Sequence, residues 1–104
     1  MGSMALHQLD RIVRFDAAGP AKSVFFEVDR LKAQVMGLEP GQRIPPCSMT
    51  YDVVFVVLEG EGEFVVDEKR ESVRPSSWVF VPKESATRSI EAATKMTILA
   101  MQLR

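Results

Sequence analysis

At 104 residues the chain has room for one domain and not for two, since domains run to roughly 100–200 residues. A hydrophobic share of 46% beside 26% charged residues excludes a disordered, collagen-like or low-complexity chain. Lys plus Arg number 13 against 14 Asp plus Glu, a net charge of −1, so the basic footprint of a nucleic-acid binder or an anionic-membrane binder is missing.

In chain order, residues 12–15, 23–28 and Leu31–Leu38 are short β-favouring runs, separated by the turn chemistry of Ala17-Ala18-Gly19-Pro20 and Glu39-Pro40-Gly41. A short helix competes with strand in the first twenty residues. Residues 51–58 are apolar on both faces of the strand they predict, residues 63–67 alternate, Trp78–Val81 is apolar, and residues 95–103 form a closing strand. No segment keeps the i, i+3, i+4, i+7 spacing of an amphipathic helix over a helix's length. Many short strands at near-regular spacing predict an all-β sandwich or barrel. Glu59, Glu61 and Glu63 alternate with Gly60 and Gly62, which predicts a sharp bend with a solvated acidic face. Asp67-Glu68-Lys69-Arg70 reads as a polar hairpin tip. The strand at 51–58 needs a cover for each face, one of them the core and the other a second sheet or another subunit, so a homodimer is expected.

The single cysteine, Cys47, excludes an intramolecular disulfide. No apolar run approaches the roughly 18 to 20 residues of a membrane span, and the N-terminus lacks a signal-peptide pattern. The expectation is a cytoplasmic protein with no membrane partner. Met1-Gly2-Ser3 ahead of Met4 looks like a cloning remnant, which leaves one domain over residues 4–104.

Residues 57–64 and 73–82 carry the most specific pattern. Gly41, Cys47, Met49, Val53 and Gly60 fall at the spacing Gly, five residues, His-x-His, three residues, Glu, six residues, Gly. Ser76, Pro82, Glu84 and Thr87 fall at the spacing Gly, five residues, Pro-x-Gly, two residues, His. In this frame the chain resembles the cupin superfamily, in particular its small single-domain members, over residues 30–103. The resemblance implies a double-stranded β-helix, a jelly-roll barrel, with Cys47, Met49, Val53 and Thr87 pointing into one cavity. In cupins those four positions hold a divalent metal through three His and one Glu, and here all four are substituted. The only histidine, His7, lies far from both motifs. The expectation is therefore no catalytic residue, no metal and no cofactor.

The remaining chemistry is that of a small-molecule pocket. Arg43 offers a planar donor fork at the barrel mouth, and Tyr51 a hydroxyl at the rim. Phe55, Trp78 and Phe80 are wall residues, Thr87 adds one hydroxyl, and alternation turns Arg88 outward. Asp52 is placed on the face opposite Val53. Arg43, Cys47, Met49, Tyr51, Val53, Phe55, Trp78, Phe80 and Thr87 are thus the pocket candidates. Two readings of function stand side by side. One is a metal-free barrel that binds a small, largely apolar molecule or acts as a dimeric interaction module. The other is a cupin-type enzyme, an isomerase or dioxygenase, with a non-standard site. In the second reading the soft sulfurs of Cys47 and Met49 make Cu(I) the metal to name.

Overall fold

A computed structural model of the chain describes residues 2–47, 50–85 and 87–104, with Cys47 described through its backbone only. One helical turn, α1 (Leu9–Ile12), precedes nine strands: β1 (Ala21–Val28), β2 (Leu31–Leu38), β3 (Arg43–Cys47), β4 (Asp52–Glu59), β5 (Gly62–Val66), β6 (Lys69–Val73), β7 (Trp78–Val81), β8 (Arg88–Ala92) and β9 (Met96–Leu103). They make two antiparallel sheets, one of five strands in the order β1-β2-β9-β4-β7 and one of four in the order β3-β8-β5-β6. From β2 onward the chain repeatedly passes from one sheet to the other, so the two are built together and share one core.

Alternation along the strands fills that core. Met36 and Leu38 of β2, Val53, Phe55 and Val57 of β4, Val81 of β7 and Ile98 of β9 face inward from the larger sheet. Phe64 of β5 and Ile90 of β8 meet them from the smaller one. Phe55 and Phe64 lock the layers edge to face, with ring centroids 5.2 Å apart. Burial of each such aromatic side chain contributes about 1.5–3 kcal/mol. The sheets face each other without closing into a hydrogen-bonded barrel: no ladder joins β6 to β7. The loop between them is held instead to β4, where Val57 N–H donates to the Ser77 carbonyl and Ser76 N–H to the Val57 carbonyl.

Two of the turns that carry positive φ angles flank β5. Gly60, at φ +83°, makes the bend between β4 and β5, where a Cβ would meet the Lys95 carbonyl. Asp67 and Glu68, at φ +48° and +73°, form the tip of the β5–β6 hairpin, and β6 starts at Lys69.

The expected strand at 12–15 is corrected. α1 ends there, and residues 13–15 run as irregular chain across the outside of the larger sheet. Gly37 explains the close approach, because a Cβ at that position would run into the Arg14 carbonyl and the Phe15 ring. The Lys95 ammonium covers the other side of that ring, 4.2 Å from its centroid. No helix among the described residues is long and apolar enough to cross a membrane.

Candidate functional site

The unpaired margins of β6 and β7 leave a cleft of about 720 Å³ between the sheets. Phe64, Val66, Val73 and Val79 form its apolar wall, Trp78 and Phe80 stand at its β7 side, and Asp67, Lys69 and Glu71 supply charge. The strands position these groups by parity. Val79 and Val81 point into the molecule, so Trp78 and Phe80 on the same strand must point out. They are 63% and 45% exposed, stacked with centroids 6.5 Å apart. They reach the β7 margin of the cleft from the exposed face of the strand, not from the interior of a barrel.

Behind the wall lies the one charged side chain among the buried described residues, Arg88, at 8% exposure. Its guanidinium carbon sits 4.9 Å from the centroid of the Phe55 ring. This reverses the expected positions of Thr87 and Arg88. Ile90 and Ala92 of β8 face the core, so Arg88, two residues before Ile90, faces inward with them. Thr87 is exposed and tied to the β5–β6 tip: its N–H donates to Asp67 Oδ1, while Asp67 N–H donates to the Thr87 carbonyl. The motif frame is off by one residue here. Counting parity back from Ile90 is the sequence signal that identifies Arg88.

Arg43 is also corrected. It is exposed and pairs across the ladder with Glu91, outside the core-facing row that holds Ile44 and Ile90. Between Ile44 and Cys47 the β3–β8 register slips by one residue at Pro45-Pro46, so the parity counted along β3 is broken. Cys47 pairs with Arg88 through the backbone. Its side chain and all of Met49 lie outside the described residues. Tyr51, 38% exposed, precedes β4 with the Arg104 guanidinium 5.8 Å from its ring centroid. Val53 and Phe55 are packed in the core. Asp52 accepts the Lys83 N–H through Oδ1. His7 is exposed, its ring 5.3 Å from that of Phe25.

The described positions do not suit the metal of the resembled family. Val53 is a hydrocarbon in close packing, Thr87 is outside, and no three His, Cys, Asp or Glu among the described residues are grouped to hold an ion. A second depression, of about 630 Å³, is lined by Glu61, Glu63 and Glu91. There Arg70 bonds Glu63 at 2.6 Å and approaches Glu91 at 3.5 Å. The hydrogen bond to Glu63, then the negative charge of Glu63 and Glu91, holds the Arg70 guanidinium further toward its charged form. All three are substantially solvated, which makes this a charged surface rather than a site.

No protein-family model matches the sequence, and no curated protein sequence matches it. Solved structures do. An RmlC-like cupin protein from Desulfovibrio desulfuricans superposes with a TM-score of 0.88 at 29% identity, over 97% of each chain. A protein from Thermus thermophilus gives 0.88 at 24% identity, over 96% of this chain and 97% of its own. Salicylate 1,2-dioxygenase from Pseudoaminobacter salicylatoxidans, solved with gentisate, gives 0.77 at 19% identity, and the 83% of this chain that aligns spans 25% of that enzyme. With two facing antiparallel sheets, the motif spacing of residues 41–60 and near-complete superposition on an RmlC-like cupin, the chain has the cupin fold.

Proposed function

We propose that this cupin-fold chain binds a small, largely apolar molecule in the cleft between its sheets, without a metal ion, and works as a homodimer joined through the outer face of the five-stranded sheet. The cleft carries the reading. Its volume falls in the range of about 300–1,000 Å³ usual for small-molecule sites, and Phe64, Val66, Val73 and Val79 offer an apolar wall beside the polar margin of Asp67, Lys69, Glu71, Ser72 and Ser77. Titrating methyl-labelled protein with 2-naphthylmethanol is expected to shift the Val66, Val73 and Val79 signals first. Shifts confined to other valines would overturn the cleft as the site.

The dimer reading rests on Trp78, Phe80 and Leu103, which are exposed on a face whose other side chains include Val54, Val56, Leu99 and Met101. An apolar face meets an identical copy with no like-charge repulsion, and two-fold self-association of one patch is the commonest closed assembly. Light scattering at micromolar concentration should give twice the mass of one chain; the mass of a monomer refutes the assembly.

The metal-free reading is supported by Val53 in the packed core and Thr87 outside it. Protein purified without chelator is expected to carry well under one equivalent of zinc, iron, manganese or nickel, and chelation to leave its melting temperature unchanged. An ion bound only to the native fold stabilises it by mass action. A near-stoichiometric metal that is lost in Cys47→Ser would defeat this reading and support the soft-metal alternative.

A further inference from the structure

We propose that the open edge of β7 is a docking site for an extended peptide, which joins the five-stranded sheet as a further strand and lays every second side chain in the cleft. This inference rests on the cleft being a ligand site and adds the class of ligand: a short strand-forming segment, apolar at alternate positions and without acidic residues. The edges of the two sheets are not alike. β1 carries Lys22, Glu27 and a bulge between Val24 and Phe26. β3 has Pro45 and Pro46 at its register slip, and β6 opens with Lys69, Arg70 and Glu71. Charges, prolines and bulges keep an edge strand from pairing with another chain. β7 reads Trp78-Val79-Phe80-Val81 and has none of them.

The ladder sets the direction of the β7 backbone groups. Val57 N–H donates to the Ser77 carbonyl, and hydrogen-bonded pairs recur at every second residue of an antiparallel ladder. The pairs Phe55–Val79 and Val53–Val81 therefore share hydrogen bonds, whereas Trp78 and Phe80, opposite Val56 and Val54, turn their N–H and C=O groups away from β4. No second ladder among the described residues reaches those groups. Two donors and two acceptors on a strand about 13 Å long, at roughly 3.3 Å per residue, are the complement of an extended backbone. In this mode main-chain pairing supplies affinity, and pockets for alternate side chains supply selectivity. A side chain opposite Val79 on the added strand shares its direction, into the cleft against Phe64, Val66 and Val73. Pairing uses the edge of β7 and leaves the faces of the Trp78 and Phe80 rings to the subunit contact. Asp67 and Glu71 line the cleft beside the one base, Lys69, so an acidic segment meets repulsion there. A second copy would bring its own β7 only together with the sheet that faces it, and a cleft of about 720 Å³ holds a short strand, not a sheet margin.

The test titrates the protein with a capped pentapeptide alternating lysine and valine, following affinity by calorimetry and amide hydrogen exchange by NMR. The Trp78 and Phe80 amide protons are expected to exchange readily without peptide and to slow by about tenfold or more at saturation. Phe80→Pro and Phe80→Ala both lose the ring, but only the proline withdraws an outward N–H, so it should bind the peptide about tenfold more weakly than the alanine variant. Should Phe80→Pro fail to fold, two isomers of the peptide, each methylated on alternate amide nitrogens, make the same comparison: one keeps the parent's affinity and the other loses about tenfold or more. Equal affinity of the two variants, or of the two isomers, overturns strand pairing. A glutamate–valine peptide that binds as tightly as the lysine–valine one overturns the selectivity against acidic segments. Amides already protected without peptide, increasingly so at higher protein concentration, would make a second copy the occupant and overturn the peptide. A peptide that does not bind while 2-naphthylmethanol still shifts Val66, Val73 and Val79 overturns the docking site and leaves the cleft reading standing; no effect of either overturns both.

Discussion

The two sheets share one core and turn opposite faces to the surroundings. Outside the four-stranded sheet, Arg43 pairs with Glu91, Glu91 with Glu63, and Arg70 bonds Glu63. Outside the five-stranded sheet run Val54 and Val56 of β4, Leu99 and Met101 of β9, Ala33 and Val35 of β2, and Trp78 and Phe80 of β7. An antiparallel sheet with polar residues outside is finished by water, whereas one that is apolar on both faces requires a second cover. The N-terminal segment supplies part of it. The His7 ring lies against Phe25 and Phe26, Ala5 and Leu9 line a depression together with Leu31 and Ala33, and Val35 is fully buried although it lies outside the core cluster. The β7 side keeps its large side chains exposed. The difference teaches that burial of an outward-facing residue in this chain reports the cover laid over it, and the cover stops short of β7.

The sharpest way to break the comparison is to give the apolar face the chemistry of the charged one. The double variant Trp78→Glu, Phe80→Glu should weaken the dimer by at least a thousandfold, on the scale of ~2 kcal/mol for each aromatic anchor removed and with the pair present on both chains of a two-fold assembly, as read by sedimentation equilibrium. An unchanged dimer would place the interface elsewhere. A smaller effect is expected where the cover is the chain itself. Gly37→Ala forces the Arg14 carbonyl away from the sheet and should cost about 1–3 kcal/mol, the range for overpacking a filled contact, as measured by urea denaturation. No loss of stability would mean that residues 14 and 15 can lift without consequence. The smallest effect belongs to the charged face: Arg70→Ala should leave the melting temperature unmoved within error, because an exposed ion pair exchanges one solvated state for another. A clear drop in melting temperature would show that the charged face bears stability after all.

Much of this architecture is legible in the sequence, and the failures have physical causes. Leu31–Leu38 and Trp78–Val81 are strands with the bounds that their apolar runs predict, because both faces of the first and the inner face of the second are buried. β6 is legible only as the run that follows the hairpin tip, and the tip reads two residues too long, since only Val73 of the strand's five residues is buried and Lys69 and Arg70 look like loop. β8 escaped for the opposite reason: it opens on a charged residue that is buried. The same residue accounts for the error at the site. Motif spacing places Thr87 in the cavity, but the turn held by Asp67 starts β8 one residue later, and alternation then turns Arg88 inward. The two prolines of β3 conceal a strand in the same way, as proline is a poor strand former anywhere except at an edge or a bulge.

Those prolines have a consequence for how folded copies can meet. β3 is a terminal strand of its sheet, and Pro45 and Pro46 withdraw two successive amide donors from it. The register slip sits on the same two residues, so this margin is both irregular and short of donors. Prolines and bulges at an edge keep an approaching strand from pairing, so edge-to-edge sheet extension into fibrils is disfavoured along β3.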